Sequence, residues 1–189
     1  MNLVRIVHIV NLVWLLSEVG LIVYTRRNRS NASLRDRGSW IFLWCVIGAG
    51  IAAGTAAQSV SSASIRMSTP WWLGISLLLL VSGLVIRLTA ILTLGRFFST
   101  RVAIQQDHRL VRRGLYRLVR HPSYTGLVLL FLGMALSFGN WLSFAVIVVP
   151  FLSALLYRIR VEESSLVETL GQEYIDYCKS TRCLLPGVF

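Results

Sequence analysis

The sequence predicts an all-α, polytopic membrane protein: five transmembrane helices, the last two a helical hairpin, followed by a C-terminal amphipathic helix at the membrane surface. Three observations predict it. Of 189 residues, 55% are hydrophobic and only 14% charged, whereas soluble domains carry about a quarter charged residues. Apolar segments of about 20 residues, the length that crosses a bilayer as helix, recur along the chain. Arginines crowd alternate connections between those segments, the asymmetry that sets membrane topology.

The elements follow in order within a single membrane domain, residues 1–189, with three helices over 1–94 and a more polar half over 95–189. Leu3–Tyr24 is the first span; Arg5 is the only n-region charge and no small-residue cleavage site follows, so a retained anchor is expected rather than a signal peptide. Trp40–Val60 is the second, overlapping a Ser/Ala/Gly-rich region, Gly48–Ser64, whose small residues permit close helix packing in lipid. Trp71–Leu94 is the third. Pro122 opens the fourth, Ser123–Phe138, because proline is favoured at the first helical position. Phe138-Gly139-Asn140 is a turn signal, and Trp141–Tyr157 returns as the fifth span. In the tail, Leu166, Leu170, Tyr174 and Cys178 recur at i+4 steps, the pattern of a surface amphipathic helix.

Charge fixes the expected orientation. The first connection holds Arg26, Arg27, Arg29, Arg35 and Arg37, the second only Arg66, and the third Arg96, Arg101, Arg109, Arg112, Arg113, Arg117 and Arg120. Lys and Arg accumulate on the cytoplasmic side, which puts the N-terminus outside and the polar loop and C-terminus inside. The net charge of +11 is therefore read as topology and attraction to anionic headgroups, and no nucleic acid is expected as a partner. Cys45, Cys178 and Cys183 are spaced too irregularly for a metal pattern, so no metal is expected. The terminal Leu-Pro-Gly-Val-Phe is no lipidation box.

Between Gly95 and His121 neither helical nor strand periodicity persists, and a loop this long in a small protein is usually either functional or disordered. Its interleaved apolar residues, among them Leu110, Val111 and Tyr116, argue that it packs. With Pro122 first in its helix, His121 lies near the N-cap, and unpaired N–H groups there, beside Arg117 and Arg120, suit an anionic ligand group. The plainer alternative is that Arg120, His121, Ser123 and Tyr124 anchor and cap a span at headgroup level. Arg158 and Glu162, four apart on one helical face, are open to two readings as well: a surface ion pair, or a functional pair, since Arg158 emerges directly from an apolar segment.

Five blocks then fall in one order: H-x-L-V at His108–Val111, G-x-Y at Gly114–Tyr116, R-H-P-S-Y-x-G at Arg120–Gly126, R-x-x-x-E-E at Arg158–Glu163, and L-G-x-E-Y-x-x-Y at Leu170–Tyr177. In this the chain resembles the isoprenylcysteine carboxyl methyltransferase family, membrane enzymes that methylate the terminal carboxylate of prenylated cysteine. The resemblance covers Gly95 to Pro186 and makes that half catalytic. It implies S-adenosyl-L-methionine as cofactor, held by Gln105, His108, Arg109, Leu110, Val111, Tyr116, His121, Pro122, Ser123, Tyr124 and Glu162. It implies Arg158 as the catalytic residue that handles the substrate carboxylate, and a lipophilic methyl acceptor delivered from the bilayer.

The same superfamily signature also covers phospholipid N-methyltransferases and small-thiol S-methyltransferases. Those acceptors would need a base to expose a lone pair, for which His121 and Glu163 are candidates. A non-enzymatic lipid-binding or transport scaffold would explain the spans and the basic loops, but not the gathering of His, Tyr, Arg and Glu at one face. A membrane reductase using a nicotinamide cofactor shares a related helical architecture by resemblance, although the chain has no Gly-rich dinucleotide motif.

Overall fold

Apolar segments in lipid must satisfy their own backbone polar groups, which favours helices. The computed structural model describes residues 2–27, 33–34, 38–66, 69–98, 103–104 and 110–184. Among them run α1 (Leu3–Arg27), α2 (Ser39–Ala57), α3 (Thr69–Leu94), α4 (Pro122–Ser137), α5 (Trp141–Leu170) and α6 (Gln172–Ser180). A two-residue strand in the first connection, β1 (Ser33–Leu34), pairs antiparallel with β2 (Ala103–Ile104) in the third, Ser33 opposite Ile104. The pairing joins the described parts of the first and third connections.

Helices α1, α2, α3 and α5 are long and apolar enough to cross a membrane. Helix α4, at 16 residues, rises about 24 Å, short of a hydrocarbon core of about 30 Å. Four of the five expected spans thus meet the length of a full crossing, and α4 is the one that falls short of it. Large apolar side chains face outward, Trp71 at 71% exposed, Leu78 at 68% and Leu92 at 78%, a surface suited to lipid rather than water.

Small residues bring the helices together. Ser76 and Gly83 on α3 meet Gly133 and Gly126 on the antiparallel α4: the Ser76 hydroxyl donates to the Gly133 carbonyl at 2.7 Å, and a Cβ on Gly126 would lie 2.7 Å from both the Gly83 carbonyl oxygen and the Arg87 nitrogen. On α2, Gly54 plays the same part against α5, where Ser143 donates to its carbonyl at 2.7 Å and the Ile147 side chain fills the missing Cβ position. The expected packing role of the Gly48–Ser64 region is realised there. Helices α4 and α5 are joined by the expected turn, with Gly139 at φ 65° and Asn140 capping α5 by accepting from the Ser143 N–H at 3.0 Å. Each nevertheless packs most extensively elsewhere, α4 on α3 and α5 on α2. Phe131 and Phe151, with ring centroids 3.9 Å apart, stack at the centre of the core.

The structure differs from the sequence reading in two places. The last span does not end at Tyr157: α5 runs 30 residues, from Trp141 to Leu170, because nothing between Tyr157 and Leu170 breaks a helix. The amphipathic helix expected across Leu166 to Cys178 is broken at Gly171, whose φ of 56° ends α5 and turns the chain into α6. The polar segment 95–121 also has local order where it is described, with 3-10 turns at Gly95–Phe97 and Gly114–Arg117.

Candidate active site

Proline at the first position of α4 fixes where that helix starts, and the C-terminal tail holds the entry in place. The Arg120 and His121 N–H groups donate to the Arg182 and Cys183 carbonyls at 2.7 and 3.1 Å, and the Arg182 N–H returns a bond to Leu118 at 3.2 Å. The Thr125 hydroxyl donates to the Leu184 carbonyl at 2.6 Å. Arg120 is a staple rather than a headgroup anchor. It donates from Nε to Glu163 on α5 at 2.8 Å and from Nη1 to the Thr181 and Cys178 carbonyls at 2.7 and 3.2 Å. Burial opposes its charge, but Glu163 outweighs burial and its pKa is raised. Arg117 is exposed, so the pair of arginines expected to draw an anion to this helix start is not assembled for that purpose.

A second polar group forms one turn further along α4. The Tyr124 hydroxyl donates to Glu162 Oε2 at 2.6 Å and accepts from Arg158 Nε at 2.9 Å. Arg158 Nη1 donates to the Ser39 hydroxyl, at the first residue of α2, at 3.2 Å. Arg158 is only 2% exposed, so both its charge and its direction are fixed by partners. Arg158 and Glu162 thus converge on one phenol. The His121 ring stacks on Tyr124 at 5.5 Å between centroids, and its Nε2 lies 3.2 Å from Glu163 Oε1, where an ionised carboxylate requires Nε2 to be the protonated nitrogen.

These groups border one cavity of about 520 Å³. Leu110, Val111, Tyr116, His121, Ser123, Tyr124, Arg158 and Glu162 all line it, and Tyr174, Tyr177 and Ser165 join them. Pro122 is buried behind the lining. Gln105, His108 and Arg109 lie outside the described residues. Tyr116 is held by the Tyr177 hydroxyl, which donates to its carbonyl at 2.6 Å; burial pushes the Tyr177 phenol up to about 12, which keeps it a donor. Most of the remaining lining is apolar and comes from the membrane helices, with Trp14, Trp40, Trp44, Ile47, Phe131 and Met134. A polar mouth and an apolar interior therefore share one volume, large enough for a cofactor and part of a lipid.

Glu18 on α1 and Arg87 on α3 also line this cavity as a buried ion pair. Sequence reading passes over both. The signal that could have found them is elementary: one acid and one base, each inside an apolar span, are costly unless paired.

Among the described residues, His121, Glu163 and Cys183 place donor atoms within 4.8 Å of one another. The Arg120 guanidinium already occupies the Glu163 oxygen that a cation would use, and burial raises the pKa of the Cys183 thiol, keeping it protonated. The cluster is built around a guanidinium, not around a metal ion.

Comparison with known proteins gives one consistent result. Residues 75–168 match the family model described as the isoprenylcysteine carboxyl methyltransferase family. The chain is 36% identical over 124 residues to protein-S-isoprenylcysteine O-methyltransferase A of Arabidopsis thaliana, covering 62% of this chain and 61% of that one. It is 37% identical over 120 residues to the Tribolium castaneum protein-S-isoprenylcysteine O-methyltransferase, covering 62% of this chain and 43% of that one. A solved structure of the eukaryotic intramembrane Ras methyltransferase, isoprenylcysteine carboxyl methyltransferase, superposes with a TM-score of 0.61 at 30% identity, over 76% of this chain and 52% of the other. The chain spans about three fifths of the length of its plant relative.

Proposed function

We propose that this chain, which belongs to the isoprenylcysteine carboxyl methyltransferase family, transfers a methyl group from S-adenosyl-L-methionine to the carboxylate of a prenylated cysteine or a similar lipophilic carboxylate. It is an integral, multi-pass membrane protein. The observation that carries the reading is the convergence of Tyr124, Glu162 and Arg158 on a cavity whose other walls are largely apolar side chains of the membrane helices. A polar cofactor and a lipid-borne acceptor can meet in few other settings.

The lining fits that cofactor. Glu162 offers a carboxylate for cationic groups, Tyr124 and Tyr116 offer aromatic faces, and the size of the cavity is adequate. When bound, S-adenosylmethionine supplies an electrophilic methyl: an acceptor oxygen forms the new C–O bond as the S–C bond breaks, with its electron pair passing to sulfur. Tyr116, His121, Ser123, Tyr124 and Glu162 hold the cofactor in this reading, with Leu110 and Val111 as apolar walls. Gln105, His108 and Arg109 are assigned to it by resemblance alone.

A carboxylate is already ionised at neutral pH, so its methylation needs orientation and exclusion of water but no base. Arg158 supplies the orientation. Its guanidinium is directed by Ser39 and Tyr124 and partly neutralises a charge that must sit near lipid. Amine and thiol acceptors would need a base, and the two candidates are engaged elsewhere: Glu163 is ion-paired with Arg120 and accepts from His121. This favours the carboxylate over N- or S-methylation. The arginine-rich connections support an N-terminus outside, with the C-terminus and the active site cytoplasmic.

The reading predicts that the full chain, purified in detergent, binds S-adenosylmethionine at one saturable site by calorimetry. Absence of binding would remove the enzyme assignment and favour a lipid-binding scaffold.

A further inference from the structure

The Glu18–Arg87 pair does more than tie two helices together. Arg87 Nε and Nη2 hold the two oxygens of Glu18, the latter at 2.8 Å, and the Trp14 indole N–H donates to the same carboxylate at 3.1 Å. The other side of the guanidinium faces away from α1. Nη1 donates to both the carbonyl and the hydroxyl oxygen of Ser123, at 3.1 and 3.0 Å. Both charged residues are 6% exposed.

Two physical points argue against a purely structural role. A buried ion pair is weak support for stability, since apolar residues of similar shape often serve as well or better. The contact with Ser123 also has a chemical consequence. A hydroxyl that accepts from Arg87 keeps its own hydrogen for another partner, and Ser123 lines the cavity beside His121 and Tyr124. The arginine thereby sets Ser123 as a donor toward an acceptor oxygen in the cavity. Its backbone fixes the same turn, because Gly126 sits against the Arg87 nitrogen with no room for a Cβ.

We infer that Arg87 is a positioning residue of the methyl-donor pocket: it turns the Ser123 hydroxyl toward an oxygen of the bound donor, and Glu18 orients Arg87, which makes α1 part of that pocket. The inference rests on the S-adenosylmethionine reading above. Trp14 extends the contact chain to the apolar wall of the cavity, where its ring meets Phe131 edge-on at 5.1 Å, so the first helix links that wall to the Ser123 side.

The charge-swapped protein Glu18→Arg/Arg87→Glu separates positioning from anchoring, because it keeps an ion pair between α1 and α3 but removes the donor from Ser123. The full chain is purified in detergent, and S-adenosylmethionine affinity is measured by calorimetry beside the thermal midpoint. The expected result is a midpoint within about 3 °C of wild type and an affinity weakened about tenfold. Wild-type affinity in the swapped protein would overturn the inference and leave the pair as an anchor. Should the swap not fold, Arg87→Lys replaces it, since an ammonium can pair with Glu18 but not also span to both Ser123 oxygens. There the donor KM rises about tenfold while kcat at saturating donor stays within about twofold, and an unchanged KM overturns the inference. If wild type itself binds no S-adenosylmethionine, the proposed function fails and this inference fails with it; wild-type binding with unaltered variants overturns the inference alone.

Discussion

The Arg158→Lys protein is expected to bind S-adenosylmethionine within about threefold of wild type but to transfer methyl about 100-fold more slowly, a loss in the range seen when one preorganised charged or dipolar group is taken from a reacting centre. The geometry explains why so conservative a change is costly. The guanidinium donates to the Tyr124 hydroxyl at 2.9 Å and to the Ser39 hydroxyl at 3.2 Å, contacts that help to fix the plane in which it meets a carboxylate. An ammonium is a single strongly hydrated point on a flexible stem. It can follow either partner or the substrate, but it cannot hold both partners and present a planar fork. Charge near the lipid is kept while orientation is lost, so the effect falls on turnover. Calorimetry for the donor and single-turnover transfer for the chemistry separate the two. Turnover within about threefold of wild type would remove Arg158 from the reacting centre.

Glu162→Gln has the opposite signature. The amide keeps the size of the side chain and an oxygen that can accept from the Tyr124 hydroxyl, now 2.6 Å from Glu162 Oε2, but it lacks the negative charge. A cationic donor then binds about 10- to 100-fold more weakly, as expected for removing one member of a close charge pair in a partly desolvated site. The demethylated product has lost the sulfonium charge but retains its ammonium. If Glu162 faces sulfur, the substitution weakens donor far more than product, and the variant no longer discriminates between them. Calorimetric titration with both ligands checks this. Equal weakening would place Glu162 beside another part of the molecule.

Most of the membrane architecture can be read from hydropathy, because lipid leaves little choice of secondary structure: α1, α2 and α3 fall close to their expected spans, and Pro122 and Gly139 mark the ends of α4. The length of α5 could not be read the same way. Hydropathy falls after Tyr157, but helix formation there depends on the absence of a breaker before Gly171, not on lipid. Within the site, Tyr124, Arg158 and Glu162 were legible as polar residues at an apolar boundary. Their convergence on one phenol was not, because it joins α4 to α5 across 34 and 38 residues of chain.

Arg120 illustrates the limit most clearly. Its local pattern suits a headgroup anchor, yet its partner Thr181 is 61 residues away and only the fold reveals it. Glu18 and Arg87 differ from Arg120 in this respect. Each stands out as a charge within an apolar span, and their pairing across 69 residues follows from the cost of burying either alone. Read together, they would have pointed to contact between α1 and α3, and so to a role for the N-terminal half that hydrophobicity alone does not suggest.

The central claim is that the acceptor is a carboxylate. The direct test places the protein in lipid vesicles with methyl-labelled S-adenosylmethionine and, in parallel, a farnesylated cysteine, a phosphatidylethanolamine and a small thiol, then treats the products with base. Methyl esters hydrolyse under base and release volatile labelled methanol, whereas N- and S-methyl groups stay in place. The account predicts base-labile label on the farnesylated cysteine, lost when its carboxylate is blocked as an amide. Base-stable label on the amine or the thiol, with none on the carboxylate, would contradict it.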